Sequence, residues 1–345
     1  MRNGLFAAAA LMCVGAATSL AGPLRPEHVG AHATWVVHFD VEGLMASSVG
    51  PFLTKEAPFE GDDFDELRAL GIDPIKDIKS LTAYGADDNG EDATGILEST
   101  EAIDEALAKI SVEADDYKKI TEGDMVIHSW TDGDESWYVY TKPGREPGRR
   151  IAVLAGSLER LRAAALTLER GGAAQARCLK EARPRAGSIF FVSASQIPAI
   201  AKEEEEVSRV LKFARAVVLD VGEEGQNLYT DLALDTDGQE SATTLMQMAI
   251  GLKAFAQVAC AGEPEAAGLC KFIEAIKVAT EGVRVRVSFS IDVKALAEIA
   301  AQIEAMDDDG GDDADKDEDE NDDDDDAVII DEQKKVEVAR HQRVD

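Results

Sequence analysis

Apolar and polar positions alternate with a period of two through much of this chain, which predicts β-strands. The clearest such runs are ATWVVHFD (33–40), IKSLTAYG (78–85), ATGILES (93–99), TEGDMVIHSW (121–130), GSIFFVSAS (187–195), ARAVVLDVG (214–222), NLYTDLALD (227–235) and TEGVRVRVSFSID (280–292). Asn-Gly, Glu-Gly and Asp-Gly pairs between these runs are hairpin signals. Stretches with helical spacing separate the hairpins: VEGLMASSVGPFL after residue 40, QIPAIAKEEEEVSRVLKF after 195, and further helices from about Thr100, over 157–169, from about Ser241 and over 293–305. With hairpins dominant, the pattern predicts an α+β fold whose sheets are mainly antiparallel, with helices packed on one face.

The order of elements repeats. ATWVVHFD and a short helix correspond to GSIFFVSAS and a helix; the hairpin 78–99 corresponds to 214–235; TEGDMVIHSW corresponds to TEGVRVRVSFSID; and each copy closes with a helix. The first copy carries an extra hairpin, MVIHSW turning at Asp132-Gly133-Asp134 into SWYVYTK. Two related α+β modules are therefore expected, 33–170 and 187–305. A basic linker over 171–186 would join them, and a flexible leader over 22–32 would precede them, since its two prolines and two glycines favour mobility. Helix TTLMQMAIGLKAFAQVAC (243–260) is apolar on more than one face, which predicts that it is buried in a core or between the modules.

The two ends change the picture. Arg2 and Asn3 lead into the apolar run from Leu5 to Val14, and Ser19 and Ala21 occupy the small-residue positions of a cleavage site before Gly22; residues 1–21 read as a signal peptide of a secreted or periplasmic protein. The run is too short and alanine-rich for a spanning helix, Met12 is a poor neighbour for lipidation at Cys13, and no later segment is expected to cross a membrane. Export permits a disulfide: Cys260 and Cys270, flanking a Gly- and Pro-containing loop, could be bridged or could be buried thiols, and Cys178 is unpaired either way.

Residues 307–326 hold fifteen acids and one lysine, −14 of the formal −33, so a disordered acidic run (306–326) and a C-terminal tail (327–345) follow the modules. The remaining −19 makes nucleic acid an unsuitable partner. The acidic run could collect divalent cations loosely, solvate the protein, or lie against the single basic stretch, Arg145 to Arg185, with ten basic residues against four glutamates.

Candidate chemistry centres on HVGAHATWVVHFD (28–40), with three of the five histidines. In a strand, Trp35, Val37 and Phe39 face one side and Val36, His38 and Asp40 the other. His38 and Asp40 could thus share a metal or a hydrogen bond, but a metal needs further ligands that His28 and His32 supply only if the leader folds back. The bland alternative is a strand-end histidine bonded to Asp40 or backbone. His128, between apolar residues in MVIHSW, reads as a satisfied structural histidine. The acidic turns DDNGED (87–92), DGDE (132–135) and DTDG (235–238) lack the ligand set of a calcium loop and read as hairpin tips. No G-x-S-x-G, S-x-x-K, H-E-x-x-H, Walker or C-x-x-C pattern occurs.

Trp35-Val36-Val37-His38-Phe39-Asp40, followed by Val41, Leu44, Ser47 and Gly50, resembles the opening of a group of exported bacterial proteins of unknown function in which a W-V-V-H-x-D strand runs into a short helix. The G-I-D-P-x-x-D-I segment, Gly71 to Ile78, is associated with the same group. The resemblance covers about the first 85 residues and implies no activity and no functional residue.

The expectation is an exported, non-enzymatic binding or scaffold protein that uses no cofactor and partners an unknown protein or cell-envelope component. No catalytic or metal residue is assigned. The alternative is a metal-dependent or hydrolytic enzyme centred on His38 and Asp40.

Overall fold

A computed structural model of the chain describes residues 23–51, 62–86, 93–133, 135–171, 176–180, 182–196, 213–261, 267–296 and 299. The signal segment, the turn at 87–92, most of the helix expected after 195, the acidic run and the tail lie outside them.

Twelve strands make one antiparallel sheet. In chain order these are β1 (Trp35–Asp40), β2 (Ile78–Gly85), β3 (Thr94–Thr100), β4 (Lys118–Glu122), β5 (Met125–Asp132), β6 (Glu135–Pro143), β7 (Arg149–Ala155), β8 (Ser188–Ala194), β9 (Ala214–Glu224), β10 (Asn227–Thr236), β11 (Lys277–Glu281) and β12 (Arg284–Asp292). Across the sheet they stand β11-β12-β10-β9-β8-β1-β2-β3-β7-β6-β5-β4. The β1–β8 pairing, Trp35 opposite Ala194 to Phe39 opposite Phe190, joins the two halves in one continuous sheet. From that seam the halves run outward in corresponding order, and the Thr-Glu-Gly hairpins β4–β5 and β11–β12 end up at opposite edges. Strands β6 and β7, which have no counterpart in the second half, are inserted between β5 and β3. Two added strands preserve the alternation of direction, so the outer hairpin keeps its sense.

Among the described residues the helices are α1 (Val41–Met45), α2 (Asp62–Ala69), α3 (Ala102–Glu113), α4 (Leu158–Arg170), α5 (Gln239–Ala261) and α6 (Ala267–Ala275). The class is α+β with a mainly antiparallel sheet, as the hairpin pattern predicts. The first half's helices divide between the faces. Ile103, Ala106 and Leu107 of α3 and Leu44 of α1 pack with Phe39, Leu97 and Ala152 on one face, whereas Leu161, Ala165 and Leu168 of α4 pack with Val36, Ile96 and Val153 on the other. On α4 the buried residues recur at i, i+4 and i+7, Ser157 caps its start by accepting from the Arg160 amide at 3.4 Å, and Gly171 ends it at φ +69°. In the second half, Leu245 of α5 and Val285 share a core with Leu234 on the same face as α1 and α3.

Two expected connectors prove to be core. The leader is packed rather than flexible: Leu24, Val29 and Ala33 are buried against Tyr84 and Phe191, and Pro26–His28 form a 3-10 turn. The segment expected as a basic linker contributes Ala176, Cys178, Leu179 and Ala182 to the same core. Both segments carry small or branched apolar residues between their charged ones, and β1, buried on both faces, needs cover on its α4 side.

Candidate functional site

His38 and Asp40 stand on one face of β1, as the alternation predicts, but the sheet closes over them: His38 is 2 % exposed and Asp40 3 %. The His38 Nδ1 lies 2.9 Å from the hydroxyl of Thr82, its direct neighbour on β2, and Phe191 stands opposite on β8. Asp40 ends the strand and caps α1, accepting a hydrogen bond from the Gly43 amide at 2.8 Å. Gly43 is required there, because a Cβ at that position would come within 2.6 Å of an Asp40 carboxyl oxygen. Burial pushes the Asp40 carboxyl up to about 7, against the pull of the Gly43 amide.

The other histidines go elsewhere. His28 is buried in the leader, where burial and the neighbouring Arg25 push its imidazole down to about 4. His32 is exposed and stacks edge-on against Tyr84 with ring centres 6.1 Å apart. His128 shares a 2.7 Å hydrogen bond with the Tyr117 hydroxyl. Among the described residues no three His, Cys, Asp or Glu side chains are grouped so that they could hold a metal ion. Of the acidic turns, Asp235 is held bidentately by Arg284 at 2.6 and 2.8 Å.

A charged cluster that the motif reading misses lies in the second half. Asp220 on β9 and Asp231 on β10 are directly opposite each other and both buried. Two facing carboxylates need cations. The backbone amide of Arg185 donates to Asp220 at 3.0 Å, its guanidinium pairs with Asp231 and lies 5.0 Å from the centre of the Tyr229 ring, and the Tyr229 hydroxyl donates to Asp220 at 3.3 Å. Burial raises the Asp220 carboxyl above the usual range. Glu223, fully buried, accepts from the Ser48 hydroxyl at 2.7 Å and so ties β9 to the segment after α1. The available signal was an aspartate interrupting an apolar alternation, in VVLDVG and YTDLAL. Among the described residues Asp231 Oδ1 makes no hydrogen bond and faces Arg286 Nε at 3.3 Å, so charge pairing with Arg185 and Arg286 is what holds it, and the cluster acts as a brace between strands.

The same pairing accounts for the basic stretch. Arg149 holds Glu42 with contacts of 2.8 and 2.9 Å, Arg150 holds Asp104 at 2.7 Å and Arg162 holds Glu122. Carboxylates of the folded body already neutralise much of that charge.

The largest departure from expectation is α5. Its inner side packs through Ala242, Leu245 and Cys260, and Cys260 is disulfide-bonded to Cys270 of α6, while Cys178 is a buried free thiol. Its outer side is not buried: Met248, Ile250, Leu252, Phe255 and Val258 are exposed, Phe255 by 74 % and Val258 by 76 %. The helix's two charges do not relieve this, since Glu240 sits in its first turn and Lys253 donates to the carbonyls of Glu274 and Ile276 at 3.0 and 2.5 Å. At 23 residues, with a mean hydropathy of 1.2 over an 18-residue window, α5 is long and apolar enough to cross a membrane by length and composition alone, where the sequence reading expected no such segment. Beside it runs a groove of about 510 Å³, lined by Ile250, Ala254, Gln257, Ile276 and Val278 among others, between α5 and the edge strand β11.

No family model matches the chain, and no curated protein matches it. Solved structures of TP0453, a Treponema protein, are distant neighbours. Its crystal form III is 10 % identical with a TM-score of 0.43, covering 82 % of this chain and 99 % of that one. Form IV is 10 % identical with a TM-score of 0.44, covering 81 % and 97 %. Form I is 12 % identical with a TM-score of 0.41, covering 83 % and 98 %. Likeness at this level transfers no residue role to the present chain.

Proposed function

We propose that this is an exported, non-enzymatic binding or scaffold protein of the periplasm or cell surface, and that it works through the outward face of α5. The observation that carries the reading is that exposed face: Met248, Ile250, Leu252, Phe255 and Val258 on one helix, with no charged side chain among them, on a chain of net charge −33. Contiguous exposed apolar surface in an otherwise strongly charged protein marks a site of association. The groups that would support catalysis are engaged in holding the fold, His38 with Thr82, Asp40 with α1, and Asp220 and Asp231 with Arg185 and Tyr229.

The test uses the chain from Gly22 to Asp345 and a double variant, Leu252→Glu with Phe255→Glu. Both side chains are exposed, so the thermal transition should be unchanged. Binding of an environment-sensitive apolar dye is expected to fall several-fold in the variant. Equal dye binding by the two proteins would remove the basis for the proposal. Elemental analysis addresses the enzymatic alternative: stoichiometric zinc or copper, lost in His38→Ala, would favour a metal-dependent activity instead.

A further inference from the structure

We propose that the open edge of the sheet at β11 is closed by a second copy of this chain, β11 pairing antiparallel with its own equivalent about Ala279, with the Ile250 side of each α5 bordering the seam. The inference rests on the reading of α5 as an association surface and names what occupies it.

The strand carries the instructions. Strand β11 has β12 on one side and, among the described residues, no strand on the other. Its hairpin loop is the two residues Gly282-Val283, with Gly282 at φ +63° and Glu281 opposite Arg284. Such a loop makes Glu281 and Arg284 a hydrogen-bonded closing pair. Alternation then points the backbone groups of Lys277, Ala279 and Glu281 toward β12 and those of Val278 and Thr280 outward. A two-fold axis through Ala279 sets each outward Val278 against the other copy's Thr280, so both pairs can exchange backbone hydrogen bonds. The same register sets Lys277 against Glu281 of the other copy, twice, at positions where facing side chains approach most closely. Among the described residues, neither Lys277 nor Glu281 makes an ion pair within the chain.

The two faces of that seam are also matched. Val278 and Thr280 lie opposite Val287 and Val285 of β12, and Val285 is buried beneath α5. The α5 side of the seam thus carries Val278 and Thr280, and the groove between α5 and β11 continues it outward through Ile250 and Ala254, with Lys253, Glu274 and Lys277 also on its walls. The reverse side carries Lys277 and Glu281 next to Arg284 and Arg286. An isologous contact of this kind closes on itself and leaves no further edge at that end.

The opposite edge lacks these features although its sequence is similar. Strand β4 reads Lys118-Lys119-Ile120-Thr121-Glu122 before Gly123, as β11 reads Lys277-Val278-Ala279-Thr280-Glu281 before Gly282. Glu122, however, is already held by Arg162, and α4 exposes Leu166 as its lone large apolar side chain among the described residues.

Sedimentation velocity on Gly22–Asp345 over a concentration series is expected to show a reversible monomer–dimer equilibrium. Ile250→Glu, on the side of α5 that lines the groove beside β11, should weaken it about tenfold. Lys277→Glu and Glu281→Lys should each weaken it about tenfold, by placing like charges opposite each other, and combining the two exchanges should restore it. A protein that stays monomeric to ~0.1 mM, or a dimer indifferent to both sets of variants, overturns the proposal. If the chain is monomeric yet binds phosphatidylcholine vesicles in a manner lost with Leu252→Glu and Phe255→Glu, α5 remains an association surface and its occupant is lipid, which also overturns it. If dye, vesicle and self-association all ignore that double variant, the functional reading falls as well.

Discussion

Asp40 answers two demands at once. As the cap of α1 its carboxyl accepts the Gly43 amide, which favours the charged form; as a buried side chain of a central strand it is pushed up to about 7. A carboxyl raised in the folded state binds its proton more tightly there than in the unfolded chain. The stability it contributes is complete below about pH 4 and is lost as pH rises through 7. Asp40→Asn keeps an acceptor for the cap and cannot ionise. Relative to the native chain it should gain on the order of 4 kcal/mol between pH 4 and pH 8. Melting temperatures of the two proteins across that range provide the check; parallel curves would show that the Asp40 carboxyl does not titrate there. The pairing of His38 and Asp40 on one face was legible from period-two spacing alone, and so was the turn into α1. Their closure was not, because it depends on Thr82 from β2, Phe191 from β8 and the packed leader, segments remote in sequence. The Asp220–Arg185–Asp231 brace was hidden for the same reason: three separate segments supply it.

Among the elements, hairpins were read well, since turn residues and alternation are local signals. The hairpins 78–99 and 214–235, the β5–β6 turn and the capped α4 all follow from residues within a few positions of one another, whereas Thr-Glu-Gly, read as the start of a strand, proves to be a hairpin turn that leaves β4 and β11 unforeseen. Helix α5 shows where the local signal misleads. Apolar residues on all sides of a helix predict burial, yet one sheet can cover only one of its faces. Sequence gives the stripe and not the number of neighbours. Helix α6 is fastened to α5 by the Cys260–Cys270 bond and to the sheet by Phe272, whose ring lies 4.8 Å from Phe289. A loop this short is worth about 2–3 kcal/mol when closed. Replacing both cysteines by serine should therefore lower stability by that order and speed amide exchange in α6 well before β10 or β12; uniform exchange rates in the two proteins would contradict this.

At the scale of the molecule, charge and topology decide most. The acidic run could have been the counterpart of the stretch from Arg145 to Arg185, but Glu42, Asp104, Glu122 and Asp231 of the body already pair with Arg149, Arg150, Arg162 and Arg185. Removing 307–345 should accordingly leave the melting temperature within about 2 °C at moderate salt and raise binding to polyglutamate less than about twofold at low salt. A large rise in that binding would instead show the tail shielding the basic residues.

The seam between β1 and β8 has a temporal consequence. Asp40 and Ser188 are separated by about 150 residues of chain, so whichever half is delivered first must hold a bare central strand, WVVHF or IFFV, until the other arrives. A nascent chain of this design carries its most adhesive strands unguarded during the interval in which it most needs a chaperone. The same property makes the chain divisible. Fragments cut between residues 171 and 176 and produced separately should each aggregate, whereas co-expressed they should recover one soluble complex through that seam and the packing beside it.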